Sequence, residues 1–161
     1  MRSLVPHTDV VIANEEDIQA MLGLEVPGVD VREGRLDPHA YRSVAQRVAE
    51  DFGPSYVAVT LRESISASDN AWSAVLWDAR RKSFVESQRY DVRIVDRIGG
   101  GDSFAAGLIY GLATGQQPDA ALRFAVAASA LKQTIPGDFN RATVAEVTRL
   151  AAGDASGRVR R

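Results

Sequence analysis

The 161 residues include no cysteine. Disulfides, thiolate nucleophiles and thiolate metal centres are therefore excluded. Only two histidines occur, His7 and His39, and they are too isolated in sequence to supply a zinc-ligand spacing. Neither sign of charge dominates. Nineteen Lys and Arg against 21 Asp and Glu leave a formal net charge of −2, so nothing draws the chain to nucleic acid or an anionic membrane. No apolar run approaches the roughly 18 residues of a membrane span. The first residues also lack the apolar centre of a signal peptide, and a cytoplasmic location is expected. There is no internal repeat and no Gly-x4-Gly-Lys-Ser/Thr phosphate loop.

Hydrophobic residues make up 45% of the chain, enough for a core in one domain, expected over residues 1–153. A flexible tail, 154–161, ends in Arg158-Val159-Arg160-Arg161.

The chain in order predicts an α/β fold with a mostly parallel sheet flanked by helices. Asp9–Ala13 reads as a buried strand of parallel type. Asn14 then caps a short helix, with Asp17 completing a capping-box pair and Gly23 ending it. Leu24 to Leu36 reads as a connecting loop. In the next helix Asp37 caps, Pro38 takes the first position and Gly53-Pro54 ends the segment. Its stripe is Tyr41, Val44, Ala45, Val48, Ala49 and Phe52. Ser55–Thr60 is a second buried strand, and Arg62 lies just beyond it. Ligands of open α/β sheets sit at the carboxyl ends of strands, which places Thr60 and Arg62 well for a phosphate.

Ser64 to Asn70 reads as a loop, Trp72 to Trp77 as a strand, and Phe84 to Ser87 as a hairpin return. Tyr90, Val92 and Ile94 alternate with polar residues, as in a strand with one wet face. Two helices follow the glycines at 99–101. In the first, Gly107 and Gly111 would permit close approach to the sheet. The second opens at Pro118-Asp119 and is rich in small residues. Lys132 to Asn140 reads as a loop, and Thr143 with Glu146 forms a capping box for a last helix.

The segment Gly99-Gly100-Gly101-Asp102 stands out. Glycines expose peptide N–H groups and remove the Cβ atoms that would hold a ligand off. At a helix start such N–H groups are unpaired and favour an anion, typically phosphate. A carboxylate beside an anion site is sensible if it handles a proton while the amides stabilise charge on a transferred phosphoryl group. A plain glycine turn before a helix, with Asp102 answering the helix dipole, also fits the spacing.

Asp96-Arg97-Ile98-Gly99-Gly100-Gly101-Asp102-Ser103-Phe104-Ala105-Ala106-Gly107 resembles the second signature of the ribokinase-like (PfkB) carbohydrate kinases. Thr60-Leu61-Arg62-Glu63-Ser64, the run Ser66 to Leu76, and Thr134-Ile135-Pro136-Gly137-Asp138-Phe139-Asn140 look like the 2-keto-3-deoxygluconate kinase branch. The likeness runs from Val10 to Phe139 and corresponds to the C-terminal, nucleotide-binding half of that family.

The resemblance implies an ATP- and Mg²⁺-dependent kinase for 2-keto-3-deoxygluconate, acting at its 6-hydroxyl. Asp102 would be the base and Gly99, Gly100 and Gly101 the anion hole. Asn14, Thr60, Arg62, Val126 and Ala127 would meet the nucleotide. Asn14-Glu15-Glu16-Asp17 resembles the family's Asn-x-x-Glu motif, with Asp in the last place, and leaves open whether Glu16 or Asp17 serves Mg²⁺. Related enzymes bind a monovalent cation such as K⁺ between the 132–140 loop and the segment around Asp96. Most sugar contacts and the lid belong to the half outside the resemblance. A nucleotide-binding fragment without turnover, an α/β interaction module and a homo-oligomer are the corresponding alternatives and expectations.

Overall fold

The computed structural model describes residues 1–24 and 38–153. The expected loop from Leu24 to Leu36 falls, after Leu24 itself, outside the described residues; so do the Asp37 cap and the tail 154–161. The chain divides into two compact units, Met1–Asp91 and Val92–Arg161.

The first unit opens with a short 3-10 turn, Val5–His7, before β1 (Val10–Asn14) and α1 (Glu15–Leu22). It continues with α2 (Ala40–Phe52), β2 (Tyr56–Ser64), β3 (Asp69–Asp78) and β4 (Ser83–Glu86). Strand order is β1-β2-β3-β4. Only β1–β2 is parallel; β2–β3 and β3–β4 are antiparallel. The sheet is thus mixed, not mostly parallel. The reason is chain length: residues 65–68 and 79–82 are too short for the crossover that a parallel pair requires. The apolar run in β2 arises because Val57 to Leu61 are all buried, whichever way they point.

β2 also continues four residues beyond Thr60. Ser64 is expected to open a loop, yet Arg62, Glu63 and Ser64 each pair in the ladder, opposite Trp72, Ala71 and Asn70. The turn that follows is fixed by Ser66, whose hydroxyl donates to Asp69 and accepts from the Ser68 and Asp69 amides.

The α2 stripe is as expected. Tyr41, Val44, Ala45, Val48 and Ala49 are buried and Phe52 is partly so. They pack with Val57, Val59, Leu61, Val75 and Trp77 of the sheet. Each such side chain contributes on the order of 2 kcal/mol by leaving water. The helix begins at Ala40, two residues later than Pro38 implied, with His39 as N-cap and no side-chain cap bond. Gly23 and Gly53 close α1 and α2 in the left-handed conformation.

β5 (Tyr90–Arg93) lies at the junction of the units. The second unit then holds α3 (Gly100–Ala113), α4 (Pro118–Gln133) and α5 (Val144–Ala151). Gly107 and Gly111 make a close approach, but to α4 and not to a sheet. A Cβ on Gly107 would stand 2.9 Å from the Cα of Ala125, and one on Gly111 2.8 Å from the Cα of Ala121. The small residues of α4 are the other side of that contact. α4 runs through Lys132 and Gln133, which the sequence assigned to a loop. The Thr143–Glu146 capping box of α5 is formed from both sides.

Candidate phosphoryl-transfer site

In the second unit the chain enters the glycine segment on the back of α4. The amides of Val95 and Asp96 both donate to the carbonyl of Gln133, at 2.8 and 3.2 Å. Asp96 then ties two segments together. Its Oδ1 accepts from the Ile98 amide at 3.0 Å and its Oδ2 from the Gly137 amide at 2.9 Å. These two amides, and the nearby Lys132 ammonium, hold the Asp96 carboxyl below the ordinary aspartate value.

A lowered folded value means that the stabilisation is present above the ordinary aspartate value of 3.8 and is lost as pH falls through the folded one. Asp96→Asn keeps an acceptor for one amide only. The wild type should therefore lose more stability than Asp96→Asn between about pH 5 and pH 3, measured by denaturant unfolding. Glu146 shifts the same way, held down by the amide and hydroxyl of Thr143, and is common to both proteins. Equal pH slopes would remove Asp96 from this role.

Gly99 is the N-cap of α3, with φ of 79°. Its lack of a side chain is required twice over, because a Cβ there would lie 2.0 Å from the carbonyl oxygen of Asp138. The three glycines are not equivalent. The Gly100 amide donates back to Arg97 at 3.2 Å, and the Gly100 carbonyl accepts from the buried Ser129 hydroxyl at 2.8 Å. The amides of Gly101 and Asp102 have no partner among the described residues. A Cβ on Gly101 would meet nothing within 4 Å. The N–H groups of Gly101 and Asp102, and that of Gly99, which likewise has no partner among the described residues, stand at the start of a 14-residue helix, where the dipole favours negative charge.

Asp102 sits in the first turn, exposed. It lines a cleft of about 480 Å³ bounded by α3, α4, the 138–142 segment and α5. The walls are mainly apolar, including Ala106, Gly107, Phe124, Ala128 and Val147, and Phe139 stands exposed at the rim. Val126 and Ala127 do not line the cleft; both are fully buried within α4.

The remaining expected residues form a cluster in the first unit. Asn14 ends β1 and caps α1. Its Oδ1 accepts from the amides of Glu16 and Asp17 at 2.8 and 2.7 Å, and Asp17 accepts from the Asn14 amide at 3.3 Å. Asn14 is paired in register with Thr60, whose hydroxyl is 3.5 Å from the Ala13 carbonyl. Arg62, two residues along the same strand, is exposed, and its guanidinium has no partner among the described residues. Glu16 is exposed too, and its carboxylate has no partner among the described residues, whereas that of Asp17 is committed to the cap. No group of three or more His, Asp or Glu able to hold a metal occurs among the described residues.

Sequence reasoning missed Ser129, Lys132 and Gly137. A signal for Lys132 existed: Ala121, Ala125, Ala128 and Lys132 recur at helical spacing and put the lysine on the buried stripe.

Comparison with known proteins decides the family. The sequence pattern of the pfkB family carbohydrate kinases matches residues 1–141. The chain belongs to the pfkB carbohydrate kinase family. A curated relative, the 2-dehydro-3-deoxygalactonokinase of Haloferax volcanii, is 30% identical over 155 residues, covering 96% of this chain and 42% of that protein. The crystal structure of 2-dehydro-3-deoxygluconokinase from Thermotoga maritima is 43% identical, with a TM-score of 0.85, over 94% of this chain and 43% of that one. Escherichia coli phosphofructokinase-2, in a crystal structure with potassium, matches with a TM-score of 0.71 over 94% of this chain and 43% of that one. At 18% identity it supports the fold alone. The pfkB sequence in hand thus spans less than half the length of these relatives. The ribokinase-like α/β fold expected from the sequence is borne out. No helix among the described residues is long and apolar enough to cross a membrane.

Proposed function

We propose that the protein serves ATP-dependent phosphorylation of a sugar-acid hydroxyl, with 2-keto-3-deoxygluconate, phosphorylated at its 6-hydroxyl, as the substrate. The names of the similar kinases support the substrate class. The observation that carries the chemistry is the pair of unpartnered amides at Gly101 and Asp102 beside an exposed carboxylate.

In this reading Asp102 accepts the proton of the attacking hydroxyl as the new oxygen–phosphorus bond forms and the bond to ADP breaks. The Gly101 and Asp102 amides donate to the oxygens of the transferring group, where charge develops. One such donor is worth about 3 kcal/mol of barrier. The apolar cleft beside them suits a flat base, held by Ala106, Ala128 and Phe139. Val126 and Ala127, first assigned to the nucleotide, then stand behind that wall. Arg62 offers a forked charge to a phosphate.

Mg²⁺ would offset the charge of the nucleotide phosphates. Glu16, whose carboxylate has no partner among the described residues, would hold its water shell, and Asp17 serves the helix. Glu16→Gln should raise the Mg²⁺ concentration needed for half-maximal nucleotide binding while leaving the melting temperature unchanged. Asp17→Asn should do the reverse, with a stability loss of about 1 kcal/mol, the scale of a lost cap. Magnesium titrations of the two variants would show an interchange of effects if the assignment were inverted.

The whole reaction is tested by mixing the chain with MgATP and 2-keto-3-deoxygluconate and measuring sugar-dependent ADP release. Release supports a complete catalyst. Nucleotide binding without release leaves a nucleotide-binding piece whose sugar surface lies elsewhere. Absence of nucleotide binding would overturn the proposal.

A further inference from the structure

Lys132 is a charged residue with no exposure to solvent. A buried ammonium is costly unless it is paired and hydrogen-bonded; among the described residues its hydrogen bond goes to the 134–138 segment, and the glycine segment lies against its stem. Its Nζ donates to the carbonyl of Ile135 at 3.2 Å, at the C-terminal end of α4, where the helix dipole favours a cation. Its charge acts on Asp96, the carboxylate that joins Ile98 to Gly137. Its Cε lies 3.2 Å from where a Gly99 Cβ would be. The ammonium therefore sits between the 134–138 segment and the stretch from Asp96 to Gly99, the place where the family resemblance implies a monovalent cation.

The residues there do not fit an added ion. Both Asp96 oxygens already accept amides, and the Ile135 carbonyl, which could have faced a metal, accepts from Lys132 instead.

We propose that the Lys132 ammonium is the resident cation of the glycine turn, fixed by the chain itself, and that the turn takes up no monovalent metal ion. Lys132 is thus a positioning residue. It touches no reacting group, and it holds Asp96, Ile135 and Gly99 so that the free amides of Gly101 and Asp102 keep their aim. The purpose of that aim rests on the phosphoryl-transfer reading, but the placement of the charge does not.

The test is thermal melting of the 161-residue chain without nucleotide, in KCl and in N-methylglucamine chloride of equal ionic strength. A chain that never transfers phosphate would still give these melts, so failure of the functional reading is separable. The wild type should melt at the same temperature in both salts. Lys132→Ala removes the ammonium and leaves room in its place. It should melt on the order of 5 °C lower in the organic salt and recover part of that loss in KCl, saturably, as a merely structural lysine would not. A saturable, K⁺-specific rise in the wild type overturns the proposal. So does a Lys132→Ala protein that melts identically in the two salts. If that variant does not fold, the wild-type titration alone decides.

Discussion

Asp102→Asn should lower phosphoryl transfer by about 10²–10⁴-fold, the range for a positioned general base, and should bind MgATP at least as tightly as the wild type. The substitution keeps the shape of the side chain and removes the proton acceptor. It leaves the Gly101 and Asp102 amides where they are, because those come from the backbone at the start of α3. It also relieves repulsion between a carboxylate and the phosphates, which is why affinity is not expected to fall. The comparison belongs in whichever form of the protein transfers phosphate, this chain or a longer one. Single-turnover rates and calorimetric affinities measured side by side separate the two effects. Transfer at the wild-type rate would remove Asp102 from the base role, and parallel loss of binding would make it a structural residue of the turn.

Gly99→Ala should be the most damaging small substitution in the second unit. Two costs combine. A left-handed backbone costs a residue with a Cβ roughly 1–2 kcal/mol. The overlap at 2.0 Å with the Asp138 carbonyl must be relieved by moving backbone, which adds about 1–3 kcal/mol on the scale of overpacked sites. The sum, about 2–5 kcal/mol, is a large part of the stability of a small protein. Gly115 supplies the control. It has φ of 78° and open space where its Cβ would go, so Gly115→Ala carries the first cost without the second. Denaturant unfolding should show Gly99→Ala less stable than Gly115→Ala by at least about 1 kcal/mol. Equal losses would mean that the 138 loop yields freely, and that the turn is held less tightly than its hydrogen bonds imply.

Much of this architecture could be read along the chain because it is local. The Asn14–Asp17 and Thr143–Glu146 boxes, the left-handed glycines at 23 and 53, and the α2 stripe depend on residues within a few positions of one another. What could not be read depends on partners distant in sequence. Strand direction followed from the lengths of two turns once the strands were known to continue, and β2 continued through Arg62-Glu63-Ser64 because its ladder with β3 satisfied the backbone. Gly107 and Gly111 announced a close contact, but its partner is α4 and not the expected sheet. At the site, the glycine triplet and Asp102 were plain in sequence, while the inequality of the three glycines was not. It arises from Arg97, Ser129 and Asp138, each drawn in by the fold. The capping role of Asp17 was legible in sequence, and the structure forms that bond.

The central claim is that phosphate sits on the amides of Gly101 and Asp102, and Gly101→Ala tests it most directly. The position is helical and a Cβ there meets nothing in the protein within 4 Å. Alanine should therefore leave the fold intact or stabilise it by up to about 1 kcal/mol. The same Cβ would point at any anion resting on the two free amides. Calorimetric titration of MgATP into Gly101→Ala, with its melting temperature measured in the same buffer, should give an affinity at least about tenfold weaker than wild type, a loss of roughly 1.4 kcal/mol, in a protein at least as stable. Unchanged affinity in a folded Gly101→Ala protein would contradict the account.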